Sequence, residues 1–277
     1  MTASQSRHPV PRRTRYGSAP EQFGDLVLPA GDGPAPVVVL VHGGFWKASY
    51  GLDLMEPLRD DLCSRGLAVF NLEYRRVGRS GGGYPGTLLD VAAGIDALAG
   101  ASFSRDVDVE RVAVVGHSAG GHLALWAASR HLLPLGAPGA SPRVVPTFVV
   151  GQAAVTDLED AALDGLGSGA VRRFLDGTPD DRPDAYRVAQ PAIGAVPTLL
   201  VSGDRDDDVP VAYPRRCAGI DGVEVLVVDG EDHFDVIDPA GGSWAATVTR
   251  LTGALRPTPR GDAEHADRAD QKHSSEY

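Results

Sequence analysis

One serine in this chain stands where a nucleophile would be presented. In RVAVVGHSAGGHLALWAASRH, residues 111 to 131, an apolar run gives way to Gly116-His117-Ser118-Ala119-Gly120 and then to helical spacing. A strand that reverses straight into a helix brings backbone against backbone, so glycines flank the bend and Ser118 is lifted onto the corner. Its hydroxyl then lies beside a helix N-terminus, whose N–H groups favour developing negative charge. A serine hydroxyl is a poor nucleophile at neutral pH. It needs a base, an acid that orients the base, and donors for an oxyanion. Attack on an acyl carbonyl is the chemistry that such a set performs.

Eight histidines compete for the part of base. His8, His265 and His273 fall near the ends of the chain. His117 adjoins the serine and is expected to point to the opposite side of the turn, while His122 and His131 ride on the following helix. His233, in VEVLVVDGEDHFDVI, lies in a loop after the last apolar strand and before the final helix, which suits the chain order Ser, acid, His. For the acid, VPTLLVSGDRDDDVP offers four aspartates, and the frame G-x-x-D-x-x-V-P from Gly203 to Pro210 selects Asp206 over Asp204, Asp207 and Asp208. Asp157, after VVGQAAVT, is the second candidate. For the oxyanion, VHGGFW (41 to 46) follows an early core strand and resembles the HGGG-type loop. The expected donors are the N–H groups of Gly44, Phe45 and Ala119. His42 is read as holding this loop through hydrogen bonds. Phe45, Trp46, Tyr74 and Tyr84 follow strand ends and are candidates to line an apolar pocket, with Trp46, Tyr74 and Tyr84 as substrate-binding positions.

Two competing motifs lack the context that chemistry requires. Gly78-Arg79-Ser80-Gly81-Gly82 also fits G-x-S-x-G, but GYPG rather than a helix follows it, so nothing sets Ser80 on a corner. Gly81, Gly83 and Gly86 satisfy G-x-G-x-x-G, yet Pro85 removes a donor from the supposed phosphate turn. The segment reads instead as a loop that ends in Thr87 as helix cap, with Asp90 as its capping-box partner.

The elements that must position these residues alternate along the chain. Apolar runs at 36–44, 66–74, 111–118, 144–155, 196–204 and 223–230 read as strands covered on both faces. Helical spacing falls at 54–65, 87–98, 119–131, 211–220 and 244–255. A pair of edge strands is expected from EQFGDLVLP. The pattern predicts an α/β fold with a mostly parallel central sheet and helices on both faces, in which sites form outside the carboxyl ends of the strands. Residues 156 to 195, with a short helical piece at AVRRFL, are too few for more than a small cap region. The domain is placed at 21–256, between a flexible N-terminal arm (1–20) and a disordered C-terminal tail (257–277).

Composition narrows the classes. The chain has 277 residues, 43% of them hydrophobic, and a formal net charge of −11. That charge opposes nucleic-acid binding, and no apolar run approaches the roughly 18–20 residues that span a bilayer. Cys63 and Cys217 are isolated, which fits a reducing, cytoplasmic compartment.

G-x-S-x-G at a strand–helix corner, HGG upstream, G-x-x-D-x-x-V-P and a late G-x-x-H-F together resemble the α/β-hydrolase superfamily over roughly residues 20 to 255. HGGFW, NLEYRR and GHSAGGHLAL are similar to its esterase and lipase-like group, which includes kynurenine formamidase. Phe45 departs from the third glycine of HGGG esterases. The resemblance implies a Ser118–His233–Asp206 triad that cleaves small or medium carboxylic esters through an acyl-enzyme, with water as second substrate and no metal or organic cofactor. It implies two alternatives, an aryl-formamide hydrolase and a non-catalytic binding protein on the same fold.

Overall fold

The computed structural model describes residues 10–257. Eight strands form one sheet: β1 (Arg12–Arg15), β2 (Phe23–Val27), β3 (Ala35–Val41), β4 (Ala68–Leu72), β5 (Val107–His117), β6 (Phe148–Gln152), β7 (Thr198–Gly203) and β8 (Val223–Val228). Their order across the sheet is β1-β2-β4-β3-β5-β6-β7-β8. β1 and β2 run antiparallel to their neighbours, and every later pairing is parallel.

The helices are α1 (Glu56–Ser64), α2 (Gly86–Asp96), α3 (Ala119–Ser129), α4 (Leu158–Leu163), α5 (Leu166–Leu175), α6 (Pro183–Ala189), α7 (Ala212–Arg216) and α8 (Gly242–Ala254). Alternation along β3 divides them between two layers, because successive side chains leave a strand on opposite faces. Val37, Val39 and Val41 pack in one core with Leu88 and Val91 of α2 and Leu123 of α3. Val38 and Leu40 pack in the other with Leu58 and Leu62 of α1 and Trp244 and Leu251 of α8. Both faces are buried, which is why these strands read as unbroken apolar runs. α4 to α6 form a small insert between β6 and β7 whose apolar sides join the first core. Among the described residues, no helix is long and apolar enough to cross a membrane.

The first strand corrects the sequence reading. Residues 12–15 lie inside the stretch expected to be an arm, and they form the sheet edge; the antiparallel pair is β1 with β2 rather than two strands from residues 21–29. The arginines find carboxylates across the strands: Arg13 Nε donates to Asp25 at 2.9 Å and Arg12 Nη2 to Asp106 at 2.6 Å. Charge on an edge strand also discourages pairing with other chains. Of the expected tail, only Pro257 is among the described residues.

The capping box expected at Thr87 and Asp90 does not form. α2 begins at Gly86, and Thr87 donates its hydroxyl proton to the Arg75 carbonyl while accepting from the Gly83 N–H. Asp90 is buried and turned toward β4, where it accepts from the Arg75 amide, the Arg75 guanidinium and Gln22 Nε2. A guanidinium inside the fold demands a carboxylate more strongly than a helix end does. Asp90→Ala should lower stability by about 2–3 kcal/mol, by stranding Arg75, read as a lower urea midpoint at unchanged slope. A midpoint like that of wild type would show that the pair contributes nothing.

Candidate active site

The corner after β5 is as tight as its glycines imply. A Cβ on Gly116 would lie 2.0 Å from the Gly120 carbonyl oxygen, and one on Gly120 would lie 2.2 Å from that of Val41. Ser118 itself takes φ 57° and ψ −121°, a left-handed conformation that is costly for a residue with a side chain. Its N–H donates to the Gln152 carbonyl at 2.7 Å, and its carbonyl accepts from the His122 N–H in the first turn of α3. The serine is thereby fixed between β5, β6 and α3 at the carboxyl ends of the central strands.

The loops after β7 and β8 bring an acid to a histidine. His233 Nδ1 donates to Asp206 Oδ2 at 2.8 Å. The other carboxylate oxygen accepts the N–H groups of Val209 at 2.7 Å and Asp208 at 3.0 Å, so the side chain is held at both oxygens. Both side chains are almost fully buried. Since a carboxylate only accepts, the Nδ1 carries the proton of this hydrogen bond. Asp204 instead accepts the Gly230 N–H, and Asp207 and Asp208 are exposed. Asp157 caps α4 by accepting from the Asp160 N–H.

His117 and Gln152 join the two halves, and neither was singled out for this from the sequence. His117 does not point away from His233: the two ring centroids lie 4.7 Å apart, and His117 Nε2 donates to the His233 carbonyl at 2.9 Å. Gln152 accepts the Ser118 N–H with its backbone and donates Nε2 to the Val236 carbonyl with its side chain. The signal available was a polar residue closing an apolar run in each case, GH after RVAVV and GQ after TFVV. Among the described residues, Ser118 Oγ and His233 Nε2 do not form a hydrogen bond with each other.

The loop after β3 lies against this corner, since a Cβ on Gly43 would be 2.9 Å from Ser118 Cβ. Gly44, Phe45 and Trp46 all have positive φ, at 108°, 51° and 55°. None of the hydrogen bonds among the described residues uses the N–H of Gly44, Phe45 or Ala119. His42 supports the loop as expected from sequence. Its Nε2 donates to buried Glu73 at 3.0 Å, and its ring stacks on Tyr74 at 4.3 Å. Glu73 also accepts the Tyr74 and Leu52 N–H groups and pairs with Arg76. Although burial opposes its charge, His42 and Arg76 hold the Glu73 carboxyl below its ordinary range.

The aromatic positions differ from expectation. Trp46 and Tyr74 have no exposed surface. Trp46 stacks on Phe174 at 4.9 Å, and the Tyr74 hydroxyl donates to the His42 carbonyl at 2.7 Å. Large rings under a loop bury more apolar area than rings on its rim, so both serve as packing. Tyr84 is half-buried beside a separate cavity of about 210 Å³ lined by Asp181, Arg182 and Pro183. The aromatic side chains with free surface here are Phe45, Tyr50, which covers Gly44, and Phe234, whose ring meets those of His117 and His233. Ser80 is exposed in a turn, and His131 is exposed beyond α3.

A mostly parallel sheet of this order, with a glycine-flanked strand–helix corner after β5, is the α/β-hydrolase fold. Residues 25–216 match the BD-FAE family, and the chain belongs to that family. It is 30% identical over 255 residues to Esterase LipC of Mycobacterium tuberculosis, across 83% of this chain and 61% of that protein. The chain therefore spans about three fifths of that relative's length. Two solved structures share the fold. Esterase B from Lactobacillus rhamnosis superposes with a TM-score of 0.75 at 21% identity, over 91% of this chain and 88% of its own. A truncated carbohydrate esterase from gut microbiota does so with a TM-score of 0.74 at 18% identity, over 91% and 98%.

Burial also sets the charge state of two histidines near the corner. Desolvation, with the nearby charge of His233, lowers His117 from 6.5 to about 3. Desolvation lowers His122, which hydrogen-bonds the Ala189 carbonyl, from 6.5 to about 4. In the unfolded chain both bind protons near pH 6.5, while the folded chain resists until about pH 3–4. Their contribution is complete above pH 6.5 and is lost as pH falls toward those folded values. His122→Gln should remove about 1.4 kcal/mol per pH unit from the acid-side slope of unfolding free energy between pH ~6 and ~4.5. An unchanged slope in urea titrations would place the protonation elsewhere.

Proposed function

We propose that the chain is a serine hydrolase of small or medium carboxylic esters, with Ser118 as nucleophile, His233 as base and Asp206 as the acid that orients it. One observation carries the reading: a buried Asp206–His233 hydrogen bond of 2.8 Å stands at the same strand ends as a serine held at φ 57°. The name of LipC and the titles of the two structural neighbours, all esterases, support the same bond type.

The steps follow from these atoms. Ser118 Oγ attacks the acyl carbon while its proton passes to His233 Nε2, a transfer whose hydrogen bond commonly tightens only when substrate is seated. Asp206 keeps the imidazole in the required tautomer and stabilises its positive charge. The N–H groups of Gly44, Phe45 and Ala119, unused within the fold, receive the tetrahedral oxyanion. His233 then gives its proton to the departing alkoxide, leaving an acyl-enzyme. Water attacks that ester with its proton going to His233, the acid leaves, and Ser118 recovers its proton. The three short helices between β6 and β7 pack down on the core rather than forming a large lid, which suits small or medium substrates.

A panel of aryl esters of increasing acyl length, run beside N-formylkynurenine on wild type and Ser118→Ala, tests this. Wild type should cleave the esters faster than the formamide. The variant should fold normally by circular dichroism and lose about 10³-fold or more in kcat. Near-normal ester cleavage by Ser118→Ala, or a formamide turned over faster than every ester, would refute the assignment.

A further inference from the structure

The region beside Phe45 holds an arrangement the mechanism does not use. The chain carries only two lysines, Lys47 and Lys272, and the first stands two residues after the expected oxyanion donor Phe45. Lys47 Nζ lies 5.2 Å from the centroid of the Phe45 ring, within cation–π range. It also reaches the Gly167 carbonyl oxygen at 3.5 Å. Arg173 converges on the same atom, with Nη2 at 3.1 Å, while its Nη1 donates to the Ser168 carbonyl at 2.7 Å. Gly167, Ser168 and Gly169 all have positive φ, a bend of α5 that directs these carbonyls at the cations. At Gly167 a Cβ would lie 2.4 Å from Phe45 Cδ1, so glycine lets the ring seat against this bend.

Two cations meeting at one carbonyl repel each other, and every hydrogen-bond partner they have among the described residues is a carbonyl oxygen. Although the chain has 37 acidic residues and a net charge of −11, no carboxylate among the described residues reaches either cation, and the two share the Gly167 carbonyl. Several of its other arginines take carboxylates, as Arg13, Arg75, Arg130 and Arg250 do, while Arg15, Arg143 and Arg172 each end singly on a carbonyl. A carboxylate placed between Lys47 and Arg173 would relieve the repulsion and gain charge-assisted hydrogen bonds, Lys as a point charge and Arg as a planar fork.

Building on the ester-hydrolase reading above, we infer that Lys47 and Arg173 form an anion subsite, and that the substrate is an ester bearing a carboxylate on its acyl or leaving group. The pair borders the proposed oxyanion loop, because the Lys47 ammonium stands over the ring of Phe45, whose N–H is one of the proposed donors.

The test is kcat/KM on two matched pairs: para-nitrophenyl butanoate with mono-para-nitrophenyl succinate, and methyl para-acetoxybenzoate with para-acetoxybenzoate. In one pair, the ratio of charged to neutral ester should fall about tenfold in Lys47→Gln and in Arg173→Gln, and Lys47→Arg should restore it. Salt should lower the wild-type ratio, because it screens a partly exposed subsite. Ratios equal in wild type and both Gln variants, for both pairs, would overturn the inference. Should wild type cleave none of the four esters, the hydrolase reading fails by itself, and calorimetric titration with benzoate decides the subsite. Weaker benzoate binding by Lys47→Gln and Arg173→Gln supports it; equal binding overturns it.

Discussion

Backbone meets backbone too closely at the ends of β3 and β5 to admit a side chain, and the position of Ser118 follows from that constraint. Gly116, Gly120 and Gly43 each lie where a Cβ would come within 3 Å of a neighbouring atom. The chain can reverse from strand to helix in the space of one residue because those three positions are empty. The reversal leaves Ser118 in a left-handed conformation whose cost, on the order of 1–3 kcal/mol, must be met by the packing around it. That packing is the double core: β3 and β5 are buried on both faces, so the corner cannot relax without moving two layers of helices.

A polar network stabilises the loop that faces the corner. Behind Gly43 and Gly44 lie His42, Glu73, Arg76 and Tyr74, all buried and joined through hydrogen bonds, an ion pair and a stacked ring. Buried polar groups are costly unless paired, and the bonds centred on Glu73 pair most of this cluster, with Arg76 Nε left without a partner. Its effect here is to hold three successive residues at positive φ, Phe45 and Trp46 among them, and so to leave the Phe45 amide unpaired within the fold. On the other side of the serine, His117 and Gln152 tie β5 and β6 to the loop that carries His233. The two supports come from separate stretches of sequence and meet where Gly43 packs against His117 and Ser118.

What the sequence made legible is local or periodic. Parallel strands covered on both faces appear as apolar runs, and a strand–turn–helix corner needs glycines at fixed offsets, so the sheet, Ser118 and its glycines could be read directly. Asp206 and His233 each stand in a short frame after an apolar run, and a 2.8 Å hydrogen bond joins them in the structure. What was missed depends on contacts between distant segments. β1 is a strand because Asp25 and Asp106 await its arginines. Asp90 faces Arg75 and Gln22 rather than a helix end. Trp46 and Tyr74 look like pocket residues in sequence but are roofed by α5 and by His42. The convergence of Lys47 and Arg173 spans more than 120 residues, and no spacing rule could have announced it.

The central claim is that the Asp206–His233 pair makes Ser118 unusually nucleophilic, and active-site labelling reads this directly. Wild type is treated with a fluorophosphonate and digested, and the adduct is located by mass spectrometry. The account predicts one phosphonyl group per chain, on Ser118, and a labelling rate lowered by about 10³–10⁴-fold in Asp206→Asn, where the histidine loses the partner that fixes its tautomer. A label on another residue such as Ser80, or Asp206→Asn reacting as fast as wild type, would contradict it.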